Sequence, residues 1–150
     1  MWAPHLKKYV SILENVQIRA TKLVDGLGSL DYPERLRKLE LPTLAYRRAR
    51  GDMIQVYKHL HTYDHDVLPK HFQLQTRGSR RHDYQLVWNM PKDGTRGLQA
   101  NSFYYRTTRI WNELPKEVVN ATNINSFKNL LDEAWKAKHI KYDPTTTSDS

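Results

Sequence analysis

The sequence contains no cysteine. That excludes disulfides, thiol chemistry and any zinc site built on thiolates. No apolar run approaches the roughly 20 residues needed to cross a bilayer. The opening residues, Met1-Trp2-Ala3-Pro4-His5-Leu6-Lys7-Lys8, lack the apolar centre of a secretory leader. An intracellular setting, cytoplasm or nucleus, is therefore expected, with the sequon Asn120-Ala121-Thr122 left unmodified. Catalytic patterns are missing too. There is no phosphate-binding glycine loop, no nucleophile elbow and no carboxylate pair in an apolar setting. Two-metal phosphoryl chemistry needs carboxylates that converge, whereas the ten aspartates are scattered and no two are adjacent. Acidic charge is also scarce: 16 Asp and Glu face 24 Lys and Arg, a net +8.

The excess of positive charge is uneven. Residues 1–60 hold 11 basic and 6 acidic groups (+5), 61–100 hold 6 and 4 (+2), and 101–150 hold 7 and 6 (+1). A basic first sixty residues favours an anionic partner, nucleic acid before membrane; the competing reading is charge kept for solubility alone. The chain is long enough for one domain with a real core.

Within that basic portion the clearest pattern runs from Thr43 to Leu60. At 3.6 residues per turn Ala45, Tyr46, Ala49, Met53, Val56, Tyr57 and Leu60 share one face, with Arg47, Gly51 and Lys58 opposite and Arg48 and Arg50 on the shoulders. An earlier helix is expected from about Pro4 to Asp25. Its core face would be Leu6, Tyr9, Val10, Leu13, Val16, Ala20, Leu23 and Val24, with Lys8, Arg19 and Lys22 on the far side and Gly26 and Gly28 ending it. Between the two, residues 29–42 read as a short helix capped by Asp31 and started by Pro33, with Leu36, Leu39 and Leu41 inward. Three such helices bury their stripes only against one another, as a small bundle.

Beyond His61 the helical period lapses. Arg77-Gly78-Ser79-Arg80-Arg81 is a basic loop suited to a phosphate backbone or to plain solvation. Tyr84, Leu86, Trp88 and Met90 alternate with Gln85, Val87 and Asn89, Pro91-Lys92-Asp93-Gly94 signals a turn, and Phe103 to Arg106 offers a returning strand, so a β-hairpin is expected. Ile110, Trp111 and Leu114 resume a helical turn ended by Pro115. Asn125 then caps a helix with Phe127, Leu130, Leu131, Ala134 and Trp135 on one stripe. Residues 144–150 have nothing to bury and are expected to be disordered. The expected fold is thus mainly α: a helical bundle over 1–60, a basic connector over 61–81, a hairpin with C-terminal helices over 82–140, and a tail over 141–150.

Two constellations invite chemistry. His59, His61, His65 and His71, with Asp64 and Asp66, have metal-ligand types, but they sit where regular structure stops, so an exposed connector is the favoured reading and no cofactor is expected. Phe103-Tyr104-Tyr105-Arg106 and Thr108-Arg109-Ile110-Trp111 interleave aromatics with arginine, as base-stacking platforms do. Phe103, Trp111 and Trp135 are expected in the core, which leaves Tyr104 or Tyr105 for stacking.

Longer stretches carry a resemblance. The first comprises Trp2-x-Pro4, Leu13-Glu14-x-Val16-Gln17-x-Arg19-Ala20-Thr21-Lys22-Leu23-Val24-x-Gly26-Leu27, Tyr32-x-Glu34-Arg35-Leu36, Leu39-x-Leu41-x-Thr43-Leu44, Arg47-Arg48-x-Arg50-Gly51-Asp52-Met53-Ile54 and Tyr57-Lys58. The second comprises Thr76-Arg77-Gly78, Asn101-Ser102-Phe103-x-x-Arg106, Trp111-Asn112-x-Leu114-Pro115, Val118-Val119-x-Ala121 and Ser126-Phe127-Lys128-x-x-Leu131-Asp132-x-x-Trp135. In this order they resemble the region after the polymerase core in reverse transcriptases of LINE-type, jockey-like non-LTR retrotransposons.

The resemblance implies the thumb-proximal tail of a longer protein whose palm, with its aromatic-Ala-Asp-Asp type motif, lies upstream. Polymerase activity is not implied for this chain, which has no such motif. The implied partners are an RNA or RNA/DNA template-primer backbone and the upstream polymerase domain, with no membrane. The backbone contacts would fall to Lys8, Arg19, Lys22, Arg47, Arg48, Arg50, Lys58, Arg77, Arg80, Arg81, Arg106 and Arg109. Met1 before Trp2-Ala3-Pro4 reads as the interior of a longer chain. The apolar face of the first helix exceeds what its short neighbour covers, so self-association through Leu6, Val10, Leu13 and Ala20 is a further expectation.

Overall fold

The computed structural model describes residues 7–61, 72–75, 82–87, 103–136 and 141–142. The fold is mainly helical. Six helices occur among the described residues: α1 Lys7–Lys22, α2 Tyr32–Lys38, α3 Leu44–His61, α4 Phe103–Asn112, α5 Lys116–Val119 and α6 Ile124–Lys136. The chain divides into two compact units, one of Met1–Ala49 with Trp135–Ser150 and one of Arg50–Ala134, so the boundaries fall inside α3 and at the end of α6.

In the first unit the junction of α1, α2 and the start of α3 is built from polar groups. The Glu14 carboxylate accepts the Tyr32 hydroxyl at 2.5 Å and the backbone N–H of Leu44 at 3.1 Å, tying α1 to α2 and satisfying an open donor in the first turn of α3. Gln17 donates to the Tyr32 hydroxyl and to the Pro42 carbonyl, both at 3.1 Å. Arg35 is buried and donates to Thr21 Oγ1 and to the carbonyls of Leu30 and Ile18. Burial first, and then the Glu14 hydrogen bond, push the Tyr32 phenol above its ordinary range.

Caps define the helix starts. Asp31 caps α2 through Glu34 N–H at 2.8 Å, and Thr43 Oγ1 accepts Tyr46 N–H at 3.2 Å. The end of α2 closes with Leu41 N–H on Leu36 O (3.0 Å) and Glu40 N–H on Arg37 O (3.2 Å). Glu40 sits there at φ 54°, a left-handed position that usually takes glycine.

The buried face of α1 is therefore Glu14 and Thr21 with half-buried Val10, Leu13, Gln17 and Ile18. This corrects the expected stripe: Tyr9, Val16, Ala20, Leu23 and Val24 are exposed, and Leu6 lies outside the described residues. Leu41 is also exposed, while Leu36 is fully buried as expected.

In the second unit Met53, Val56, Tyr57, Leu60, Phe72, Leu86, Trp111, Leu114, Val118, Val119, Phe127 and Leu131 form the core. Tyr57 stacks on Phe127 at 4.4 Å and donates its hydroxyl to the Ala121 carbonyl at 2.7 Å. The α6 cap is Asn123, whose Oδ1 accepts the N–H of Asn125 (3.0 Å) and Ser126 (2.9 Å), so Asn125 lies within the helix it was expected to cap.

The expected hairpin takes another form. Phe103 to Arg106 is the first turn of α4, and the Thr107 and Thr108 hydroxyls return to the carbonyls of Phe103 and Tyr104 at 2.7 and 2.6 Å. Leu86 instead faces Leu74 in an isolated antiparallel bridge, flanked by Gln75 N–H to Gln85 O (2.8 Å) and Val87 N–H to Gln73 O (2.7 Å). The Asn112 side chain takes the other side, donating to Leu86 O at 2.8 Å and accepting Leu86 N–H at 2.9 Å. Trp88, Met90 and the turn at 91–94 lie outside the described residues, as does the tail at 144–150.

Trp111 joins these parts. It is fully buried, lies 5.9 Å from the Phe127 ring, and donates its indole N–H to Tyr84 O at 2.9 Å. Trp111→Ala is expected to destabilise the chain by about 3–5 kcal/mol through cavity formation. Urea denaturation followed by circular dichroism measures this; an effect under about 1 kcal/mol would show that Trp111 does not hold the core.

Candidate nucleic-acid interface

The basic residues of α3 separate by their place on the helical wheel. Arg50 and Asp52 stand on opposite rims of the apolar stripe, where side chains reach neighbouring helices. Arg50 pairs with Asp132 of α6 in a two-pronged contact, Nε to Oδ1 at 2.6 Å and Nη2 to Oδ2 at 2.8 Å. Asp52 is buried and accepts Arg106 of α4 on Oδ2, from Nη2 at 2.8 Å and Nε at 3.1 Å. Two of the expected phosphate-binding arginines, Arg50 and Arg106, are thus engaged by carboxylates inside the second unit. An arginine held in this way has most of its fork geometry committed.

The other expected cations are differently placed. In the first unit Lys8, Arg19, Lys22 and Arg47 are exposed and Arg48 is half-buried. Lys8, Arg19 and Lys22 adjoin the exposed Tyr9, Ile12 and Val16 of α1, while the inward side of the helix is mixed, with Glu14 and Thr21 buried and Val10, Leu13, Gln17 and Ile18 half-buried. In the second unit Lys58 and Arg109 are exposed. Arg109 approaches Glu113 at 3.6 Å with both side chains about half exposed, a surface pair of small consequence. Arg77, Arg80 and Arg81 lie outside the described residues.

Aromatic residues offer less than expected for stacking. Trp111 and Trp135 are buried, while Phe103 is only half-buried. Tyr104 is half-buried and meets the Phe72 ring edge-on at 4.9 Å; Tyr105 is half-buried as well. The histidines are drawn into ring contacts. His61 lies 4.2 Å from the Tyr57 ring, stacked, and 4.3 Å from Tyr84. Burial lowers the His59 pKa, favouring the neutral ring. Among the described residues no group of three His, Cys, Asp or Glu could hold a metal ion; Asp64, His65, Asp66 and His71 lie outside them. Among the same residues no helix is long and apolar enough to cross a membrane.

Comparison of the chain with protein-family models, with curated proteins and with solved structures finds no match. The internal contacts are carried by Glu14, Gln17, Thr21, Tyr32 and Arg35 in the first unit, and by Arg50, Asp52, Tyr57, Arg106, Trp111, Asn112 and Asp132 in the second. Sequence reading missed Glu14, Arg35, Asp52 and Asn112 as organising residues. The signal that could have found Asp52 is its position on the rim of a clear apolar stripe.

Removing the Asp52 side chain leaves Arg106 without its carboxylate in a partly buried site. Asp52→Ala is expected to cost about 2 kcal/mol, and a double-mutant cycle with Arg106→Ala should return a coupling of about 1–2 kcal/mol. The more exposed Arg50–Asp132 pair should couple by roughly 0.5–1 kcal/mol at most. Urea denaturation of the single and double variants gives both values. Strict additivity at Asp52 and Arg106 would remove the pair as a structural tie.

Proposed function

We propose that the chain is a non-catalytic, thumb-proximal C-terminal module of a LINE-type, jockey-like non-LTR retrotransposon reverse transcriptase, an RNA-directed DNA polymerase. In this reading it braces the upstream polymerase domain and touches the RNA or RNA/DNA backbone. The observation that carries the proposal is the in-order resemblance across residues 2–136. Its charged members supply partners to one another, Arg50 to Asp132 and Asp52 to Arg106. These residues serve as scaffold, so phosphate contact falls to the exposed Arg47, Lys58 and Arg109, and to Arg77, Arg80 and Arg81, which lie outside the described residues. Such contacts position a backbone and carry no base information. The engagement of Arg50 and Arg106 by carboxylates also favours a second reading, a purely structural or protein-interaction module whose charge serves solubility.

Salt separates the two. With about four phosphate contacts to single-stranded RNA, log K falls against log[salt] with a slope of about −3. Arg47→Ala, Lys58→Ala and Arg109→Ala should each lower affinity to a similar degree for every RNA sequence and leave the circular dichroism spectrum unchanged. Fluorescence anisotropy across a salt series is the measurement, and absence of binding at about 50 mM salt would favour the structural module. Parentage is tested separately by genomic sequencing. In-frame DNA upstream of the Met1 codon is expected to encode an apolar strand with an aromatic-Ala-Asp-Asp type motif, interrupted or intact; upstream DNA without such a remnant would remove the retroelement reading.

A further inference from the structure

The outward side of α1 has a form that neither backbone binding nor solubility requires. Tyr9, Ile12 and Val16 are 48%, 48% and 63% exposed, and Leu23, just past the helix end, is 84% exposed. Their spacing of three, four and seven residues is that of alternating seam positions in a two-helix coil. At 3.6 residues per turn they fall within an arc of about 60°, facing away from buried Glu14 and Thr21. Tyr9 to Val16 covers about 10 Å of the helix, and Leu23 follows just past its end. Arg19 takes the seam position between Val16 and Leu23, and Lys8 and Lys22 lie beyond it on the same flank. The only acid in α1 is Glu14, which is buried on the opposite side. The outward face therefore presents four large apolar side chains and three cations along one edge.

That pattern selects among occupants. A second copy fits poorly in either direction. A parallel pair sets Arg19 against Arg19, and an antiparallel pair sets the cationic flank against itself, so like charges meet each time. A membrane surface asks for a broad apolar face on a helix lying flat, whereas a 60° seam is the narrow stripe of helix-to-helix packing. An RNA backbone makes no use of Tyr9, Ile12, Val16 and Leu23. We propose that this face docks an amphipathic helix of a partner protein, apolar along one seam and acidic along the edge that meets Lys8, Arg19 and Lys22. The apolar residues supply affinity and the cations set the choice of partner and its register. In this assignment the α1 cations serve protein recognition, leaving backbone contact to the residues outside α1.

The test uses the full chain and a synthetic helical peptide with leucine at both seam positions and glutamate along one edge, beside a counterpart with lysine in place of the glutamates. Titration calorimetry is expected to show the acidic peptide binding at least about tenfold tighter than the lysine peptide, the size of a few charge contacts. Val16→Asp changes a side chain already in solvent, so the fold should persist while binding weakens at least about tenfold. Combined Lys8→Glu, Arg19→Glu and Lys22→Glu should reverse the peptide preference, a swap that misfolding cannot produce. Equal affinity for both peptides, or no binding of the acidic one, overturns the proposal. So does a dimer in sedimentation that Val16→Asp abolishes, or partition into vesicles of phosphatidylcholine and phosphatidylserine that the same change abolishes. Displacement of the peptide by single-stranded RNA would return these cations to nucleic acid and overturn it equally. RNA binding through Arg47, Lys58 and Arg109 is read in a separate assay, and its failure leaves the peptide result standing.

Discussion

Two charges set two residues apart on α3 constrain the second unit. Arg50 and Asp52 leave the helix on opposite rims of its apolar stripe, and each meets its opposite charge on a different helix, Asp132 on α6 and Arg106 on α4. The stripe between them, Met53, Val56, Tyr57 and Leu60, is nondirectional in its attraction and would accept neighbouring helices at many rotations. The two-pronged Arg50 contact and the paired donors of Arg106 are directional. They tie α6 and α4 to particular sides of α3. Charge here selects an arrangement for which apolar burial supplies the drive.

The first unit solves the same problem with one acidic side chain. Glu14 reaches both the Tyr32 hydroxyl and the opening N–H of α3, so a single carboxylate orients α2 and α3 on α1. Arg35, Gln17 and Thr21 fill the remaining polar demand. A buried network of this kind is favourable only when its members are satisfied together, which makes the junction specific in geometry. It also turns Glu14 and Thr21 of α1 inward beside half-buried Val10, Leu13 and Ile18, and leaves Tyr9, Ile12 and Val16 facing solvent.

The difference between what could and could not be read from sequence follows from these arrangements. The α3 stripe was legible because its period and its burial coincide, and Asp31 because a cap acts over three residues. The inward face of α1 was legible only in part: Val10 and Leu13 turn inward as their spacing suggests, but the fully buried positions are the polar Glu14 and Thr21, which apolar periodicity does not mark. Phe103-Tyr104-Tyr105-Arg106 has strand-like composition yet forms a helix, because its setting against Phe72 and Asp52 outweighs local preference. The candidate interface was legible only as a list of cations. Which of them are engaged depends on partners 54 and 82 residues away, as for Arg106 and Arg50, and spacing along one helix carries no such information.

The clamp around Leu86 has a consequence for how the chain behaves among other proteins. The Gln85 carbonyl accepts from Gln75 and the Val87 N–H donates to Gln73, while the Leu86 N–H donates to the Asn112 side-chain oxygen and the Leu86 carbonyl accepts from its amide nitrogen. A short extended segment with an apolar residue at its centre is ordinarily an edge on which a foreign strand can add. Among the described residues, the segment around Leu86 is engaged by backbone on one side and by a side chain that imitates backbone on the other. At Leu86, among the described residues, neither backbone group is left open for such an addition.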